Sequence, residues 1–136
     1  MDIQVELIKI IIDEKRQDQV IVLKEKNGER QFPIVIGFLE ASSIKMKLSG
    51  IKVPRPMTHD LLMSTIENLA VTLEKLVIDK LTSNTFHAKL VLRKDDGQEV
   101  RVDSRPSDGI ALAVRAQAPI FVDENVIQKA SVFKVE

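Results

Sequence analysis

The chain of 136 residues contains no cysteine, no tryptophan and no tyrosine. Without cysteine it can form neither disulfides nor thiolate metal sites. Five phenylalanines are its whole aromatic complement, so a platform for stacking nucleic-acid bases is not expected. An excess of one charge is missing too, because twenty Lys and Arg balance twenty Asp and Glu. A nucleic-acid binder usually carries a basic excess, since phosphate contacts supply most of its affinity. Any such binding here would have to come from a local patch. The apolar runs are only a few residues long, far short of the ~20 that cross a bilayer. The opening residues, Met1 to Glu6, lack the basic-then-apolar pattern of a signal peptide. A cytoplasmic protein that stays off the membrane is the expectation.

What is present reads as one domain over residues 1–136, with a core over about 5–130 and a tail over 131–136. Apolar residues make up 44% of the chain, enough for a real core at this length. Val5 to Asp13 is β-branched and apolar at both alternating sets of positions. That predicts a strand covered on both sides, or one at a subunit interface. Gln19 to Lys26 and Arg30 to Ile36 complete an antiparallel meander, with Asn27-Gly28 as a type I′ hairpin turn. Pro33, which has no N–H to donate, points to an edge or a bulge. The period then changes. Ala41, Ile44 and Leu48 mark a helix with Gly37 as N-cap, Glu40 reaching back to it, and Gly50 as terminator.

Ile51 to Pro56 carries two prolines and is a stiff extended lead-in. Thr58 is placed as the N-cap of a second helix, with Leu62, Ile66 and Leu69 as its buried stripe. Strands follow over Val71 to Leu81, Thr85 to Arg93 and Glu99 to Val102. The middle one sets Phe86, Ala88, Leu90 and Leu92 on one face and His87, Lys89 and Arg93 on the other. From Ser107 a helix carries only one charge, Arg115, between Gly109 and Ala116. It should be buried nearly all round, with Arg115 paired to Asp60, Asp103 or Glu40. Pro119 to Val122 is a last strand, and Asp123 caps a final helix through Ala130. The order βββ-α-α-βββ-α-β-α predicts an α+β fold with a mixed, mainly antiparallel sheet.

Two stretches concentrate the polar chemistry. Arg55-Pro56-Met57-Thr58-His59-Asp60 opens one helix, and Arg105-Pro106-Ser107-Asp108 opens another. Nucleophile elbows, P-loops, dinucleotide-binding glycine motifs and zinc-binding His-Glu-x-x-His helices are all absent from the sequence. Oxygen ligands remain: Asp60, Asp103 and Asp108 form a candidate set for Mg2+ or Mn2+, with Glu40 as a further carboxylate. Arg55 and Arg105 can grip phosphate, the helix starts at Thr58 and Ser107 offer N–H groups to an anion, and His59 can act as acid or base. These residue types suit phosphodiester hydrolysis. They also suit a plain structural role, in which Arg-Pro stiffens a helix start and the charges form a buried ion network at a subunit contact.

The ordered set Ile36-Gly37 with Glu40-Ala41, Arg55-Pro56-x-Thr58-His59-Asp60-Leu61, Phe86-x-Ala88-x-Leu90, Asp103-x-Arg105-Pro106-Ser107-Asp108 and Pro119-Ile120 resembles the bifunctional nuclease domain family. The resemblance runs from about Val5 to Ala130. It implies a small α+β domain and a nuclease, a hydrolase acting on RNA or DNA; single-stranded nucleic acid, bound through a local patch, is the expected partner. Glu40, Arg55, Thr58, His59, Asp60, Asp103, Arg105, Ser107 and Asp108 carry over as motif positions. Gly109 and His87 depart from the pattern, which usually has Ala and an aromatic residue there. The alternative is a non-catalytic binding or assembly module, and a homodimer is expected from the alanine-rich helix and the apolar first strand.

Overall fold

A computed structural model describes residues 1–131; the rest of the expected tail lies outside the described residues. The first meander is β1 (Asp2–Ile11), β2 (Asp18–Glu25) and β3 (Gln31–Gly37). Two helices follow, α1 (Phe38–Leu48) and α2 (Thr58–Asn68). The second meander is β4 (Thr72–Thr82), β5 (Thr85–Arg93) and β6 (Glu99–Ser104). Helix α3 (Pro106–Ala116), strand β7 (Ile120–Asp123) and helix α4 (Glu124–Ala130) close the order. The seven strands form one sheet in the order β3-β2-β1-β7-β4-β5-β6. Every pairing is antiparallel except β4 with β7. Strand β7 joins the two meanders, since it lies antiparallel to β1 and parallel to β4. The fold is α+β.

Alternation decides which side chains meet the helices. Ile21 and Leu23 of β2, Phe32, Ile34 and Ile36 of β3, and Ala88 and Leu90 of β5 point into one core with Ile110 and Leu112 of α3. The sheet curls around this core. Phe32 and Phe86, on strands near opposite ends of the order, stack with centroids 5.8 Å apart. Helix α3 is buried almost throughout, as its composition predicts, and packs on α1, α2, β4 and β5. Its Gly109 lies against Leu76, and an added Cβ would stand 3.1 Å from Leu76 Cδ2. The departure at Gly109 is therefore a packing solution.

Four local expectations are corrected. Strand β1 is not covered on both sides: Ile3, Val5 and Leu7 face the core, whereas Ile8 and Ile11 are exposed. A register shift between Leu7 and Lys9 lets the apolar run change faces. Asn27-Gly28 does not form a type I′ turn, because neither residue has positive φ. The Glu25 carboxylate instead accepts from the Arg30 backbone N–H (3.0 Å) and Nε (2.9 Å), closing a longer loop. The two-residue turn with positive φ is Ser83-Asn84, between the paired Thr82 and Thr85. At α1, Ala41 and Ile44 are buried but Leu48, at the helix's last residue, is exposed.

Helix α2 carries the fourth correction. Its N-cap is Met57, not Thr58, and the Asp60 carboxylate accepts from the Met57 N–H at 3.0 Å. Its buried residues are Met63 and Ile66, whereas Leu62 and Leu69 are exposed. The helix is rotated about one position from the expected stripe. The reason is polar: His59, Met63 and Ile66 share a face at i, i+4 and i+7, and His59 is tied to α3. Pro33 on an edge strand and Gly50 (φ 70) after α1 stand as the sequence predicts.

Candidate functional site

Three helices meet over the polar residues. Ser43 comes from the middle of α1, His59 and Asp60 from the first turn of α2, and Asp108 and Arg115 from α3. His59 Nε2 lies 2.9 Å from Asp108 Oδ1, and His59 Nδ1 lies 2.7 Å from Ser43 Oγ. An ionised carboxylate only accepts, so Nε2 carries the proton given to Asp108. Arg105 donates to the other Asp108 oxygen from Nε at 2.9 Å. On the far side, Arg115 Nη2 donates to Ser43 Oγ (3.1 Å) and Nε to Asp60 (2.8 Å). One unbroken path of hydrogen bonds runs Arg105, Asp108, His59, Ser43, Arg115, Asp60.

Burial differs along this path. The side chains of Arg115 and His59 are 8% and 12% exposed, while Arg105 is 68% exposed. The Asp60 carboxyl is held below its usual range, first by the Arg115 hydrogen bond and then by the Met57 N–H, with burial opposing both. The buried end of the path is therefore a satisfied ion pair. The exposed end is a cation offered to solvent.

A cleft of about 300 Å3 opens at that exposed end, lined in part by Glu40, Ser43, Thr58, His59, Arg105 and Asp108. A second hollow of about 420 Å3 shares Glu40 and Arg105 with it and reaches Val35, Asn84, Phe86 and Ser107. Glu40 arches back over Gly37, where its carboxylate occupies the position of the missing Cβ. Among the described residues it has no hydrogen bond or ion pair. The first turn of α2 opens on the first cleft and that of α3 on the second. First-turn N–H groups have no partner within their own helix, so both ends attract an anion.

The structure thus brings together Glu40, Thr58, His59, Arg105 and Asp108, sets Ser107 in the adjoining hollow, and joins Asp60 through Arg115. Two predicted site residues stand elsewhere. Arg55 is exposed, lines neither hollow, and has no ion-pair partner among the described residues. Asp103 is registered with Lys89 on β5, which alternates with the core residues Ala88 and Leu90. It therefore points from the opposite face of the sheet, where Lys89 lies 3.5 Å from it and 3.4 Å from Asp79. Asp60, Asp103 and Asp108 do not converge, and among the described residues no three His, Asp or Glu side chains are placed to hold an ion. Asp60 and Asp108 are each already committed to an arginine. The residues present do not fit the expected Mg2+ or Mn2+ cage. Ser43 was missed by sequence reasoning. Its only cue is a serine pair, Ser42-Ser43, inside a helix that such residues disfavour.

A curled sheet with three helices converging on a His, Asp and Arg cleft defines a compact α+β domain built around a polar hollow. The chain belongs to the bifunctional nuclease domain family, whose pattern matches residues 21–134. It is 36% identical over 127 residues to an uncharacterized protein of Mycobacterium tuberculosis, covering 93% of this chain and 75% of that one. It is 26% identical over 128 residues to bifunctional nuclease 2 of Oryza sativa subsp. japonica, covering 92% of this chain and 39% of the relative. Bifunctional nuclease 1 of Arabidopsis thaliana is 25% identical over 107 residues, covering 76% of this chain and 33% of the relative. The chain therefore spans well under half of these plant proteins. Among the described residues no helix is long and apolar enough to cross a membrane.

Proposed function

We propose that the chain is a nuclease that hydrolyses phosphodiester bonds of single-stranded RNA or DNA in the cleft beside His59, in the cytoplasm. The observation that carries the reading is the convergence of His59, Asp108 and Arg105 with the first turn of α2 on one hollow. Arg105 and the helix N–H groups would hold the phosphate and offset charge that develops on it. His59, oriented by Asp108, would move the proton, a contribution worth about 10²–10⁴ in rate. No step is assigned to Mg2+ or Mn2+, because the carboxylates expected to hold the ion are committed to arginines or turned to the other face. Digestion of single-stranded RNA and DNA, run with Mg2+, with Mn2+ and with EDTA, compares wild type with His59→Ala. The expected result is a loss of at least about 100-fold in the variant. Equal activity of the two proteins refutes the site.

A second reading has an observation of its own. The path from Asp60 to Arg105 cross-links three helices, as a purely structural network would. Leu61, Leu62 and Leu69 of α2 are exposed, which favours an assembly module that forms a homodimer. Light scattering decides between monomer and dimer, and loss of dimer in Leu69→Lys with no nuclease activity in wild type would favour this reading.

A further inference from the structure

We infer that Ser43 is a nucleophile, activated by His59 and Asp108, and that the cleft works through a covalent serine intermediate on a phosphodiester. This deepens the nuclease reading and rests on it for the choice of substrate. The nucleophile, its base and the group that orients the base are in mutual hydrogen-bond reach: Ser43 Oγ to His59 Nδ1 at 2.7 Å and His59 Nε2 to Asp108 Oδ1 at 2.9 Å. The two ring nitrogens exchange the roles they have in serine hydrolases, but the connectivity is the same. With the Nε2 proton given to Asp108, Nδ1 is left to accept the serine proton.

Two further features single out this hydroxyl. A serine inside a helix commonly bonds back to the carbonyl one turn earlier; Ser43 Oγ instead contacts only His59 and Arg115 among the described residues. The Arg115 guanidinium, itself nearly buried, donates to the same oxygen at 3.1 Å. A cation held at that position stabilises the negative charge that appears as the proton leaves. Ser43 also lines the cleft that Arg105 lines, so the residue shares that space with a cation able to grip phosphate.

The step balances without an added reactant other than water. Ser43 Oγ forms a bond to phosphorus as the bond from phosphorus to the leaving oxygen breaks. The Ser43 proton passes to His59 Nδ1, and the departing alkoxide takes a proton from water. In the second half a water attacks the phosphoserine diester from the side the leaving group vacated. His59 then returns its proton to Ser43 Oγ as that bond breaks, and the attacking water's proton neutralises the hydroxide left earlier.

The test has two arms on the intact chain. In the first, a fluorophosphonate probe is incubated with wild type, and tryptic peptides are read by mass spectrometry. The expected result is modification of Ser43, slowed about 100-fold in His59→Ala and in Asp108→Asn, with circular dichroism confirming that the variants fold. In the second, an oligonucleotide digest is acid-quenched and searched for a nucleotidyl adduct on Ser43. An unlabelled Ser43 in wild type overturns the inference, even if nuclease activity is present. Activity retained within a few-fold in Ser43→Ala overturns it as well. Loss of activity in Ser43→Ala with neither label nor adduct makes Ser43 a positioning residue, which also overturns it. If Ser43 takes the probe but no nucleic acid is cut, the nucleophile stands and the nuclease reading falls.

Discussion

The Asp60 and Arg115 pair should behave asymmetrically when cut from either side. Arg115 is almost fully buried while Asp60 is about a third exposed, at 8% and 32%. Arg115→Met removes the hydrogen bonds to Asp60 and Ser43, but the carboxylate left behind can hydrate, and Ser43 keeps His59. The expected cost is about 1–2 kcal/mol, discounted from the buried-pair range for the exposure of Asp60. Asp60→Ala leaves a buried guanidinium without its carboxylate and also removes the acceptor that caps Met57 N–H. Its expected cost is about 3–4 kcal/mol, of which about 1 is the cap. The double variant should cost little more than the cap and Arg115→Met together, a coupling of about 2 kcal/mol. Urea unfolding of the four proteins, at constant m, measures the cycle. Additive losses, or a larger loss from Arg115→Met than from Asp60→Ala, would refute the reasoning. Acid adds a sign. The folded Asp60 carboxyl sits below its ordinary 3.8, so the pair's contribution is complete above that value and declines as pH falls below it. Asp60→Ala should lack this decline.

Four further outcomes follow from the same geometry. Glu124 is pulled down from 4.5 to about 2, chiefly by its hydrogen bonds to Arg30 (2.7 and 2.9 Å). Wild type should therefore lose stability as pH falls through that interval, and Glu124→Gln should flatten the melting profile there. Gly109→Ala gains about 1 kcal/mol of helix propensity but crowds Leu76, at about 1–3 kcal/mol; calorimetry should show net destabilisation, reduced in a Leu76→Val background. Arg105→Ala should raise KM for an oligonucleotide by about 10-fold or more while shifting stability by less than about 0.5 kcal/mol, since its ion pair is exposed; an unchanged KM would remove it from phosphate binding. Asp103→Ala and Arg55→Ala should leave cleavage rates within about two-fold, because neither residue reaches the cleft; a large loss in either would move the site.

Local chemistry was legible wherever the cause of structure is local. Alternation assigned Phe86, Ala88 and Leu90 to the core face and Lys89 and Arg93 to the other. Gly50 ended its helix because positive φ is cheap only without a Cβ, and Arg115 as the single charge between Gly109 and Ala116 signalled a buried helix with an acidic partner for it. The Asn27-Gly28 turn failed because a charged pair, Glu25 and Arg30, overrode the local preference of two residues. The stripe of α2 failed for a related reason: leucines at 62 and 69 fit a helical period, but the hydrogen bond from His59 to Asp108 sets the rotation and turns them outward.

Residue types, their spacing and the periodicity of apolar positions were enough to establish an α+β domain and to put His, Asp and Arg side chains at two helix starts, because these follow from backbone propensity alone. Which of those groups meet was decided only by tertiary structure. Register placed Asp103 on the far side of the sheet, since neighbours on a strand point to opposite faces. Helix packing brought Asp108 to His59, gave Asp60 to Arg115, and supplied Ser43, a serine with nothing in its own neighbourhood to distinguish it from Ser42.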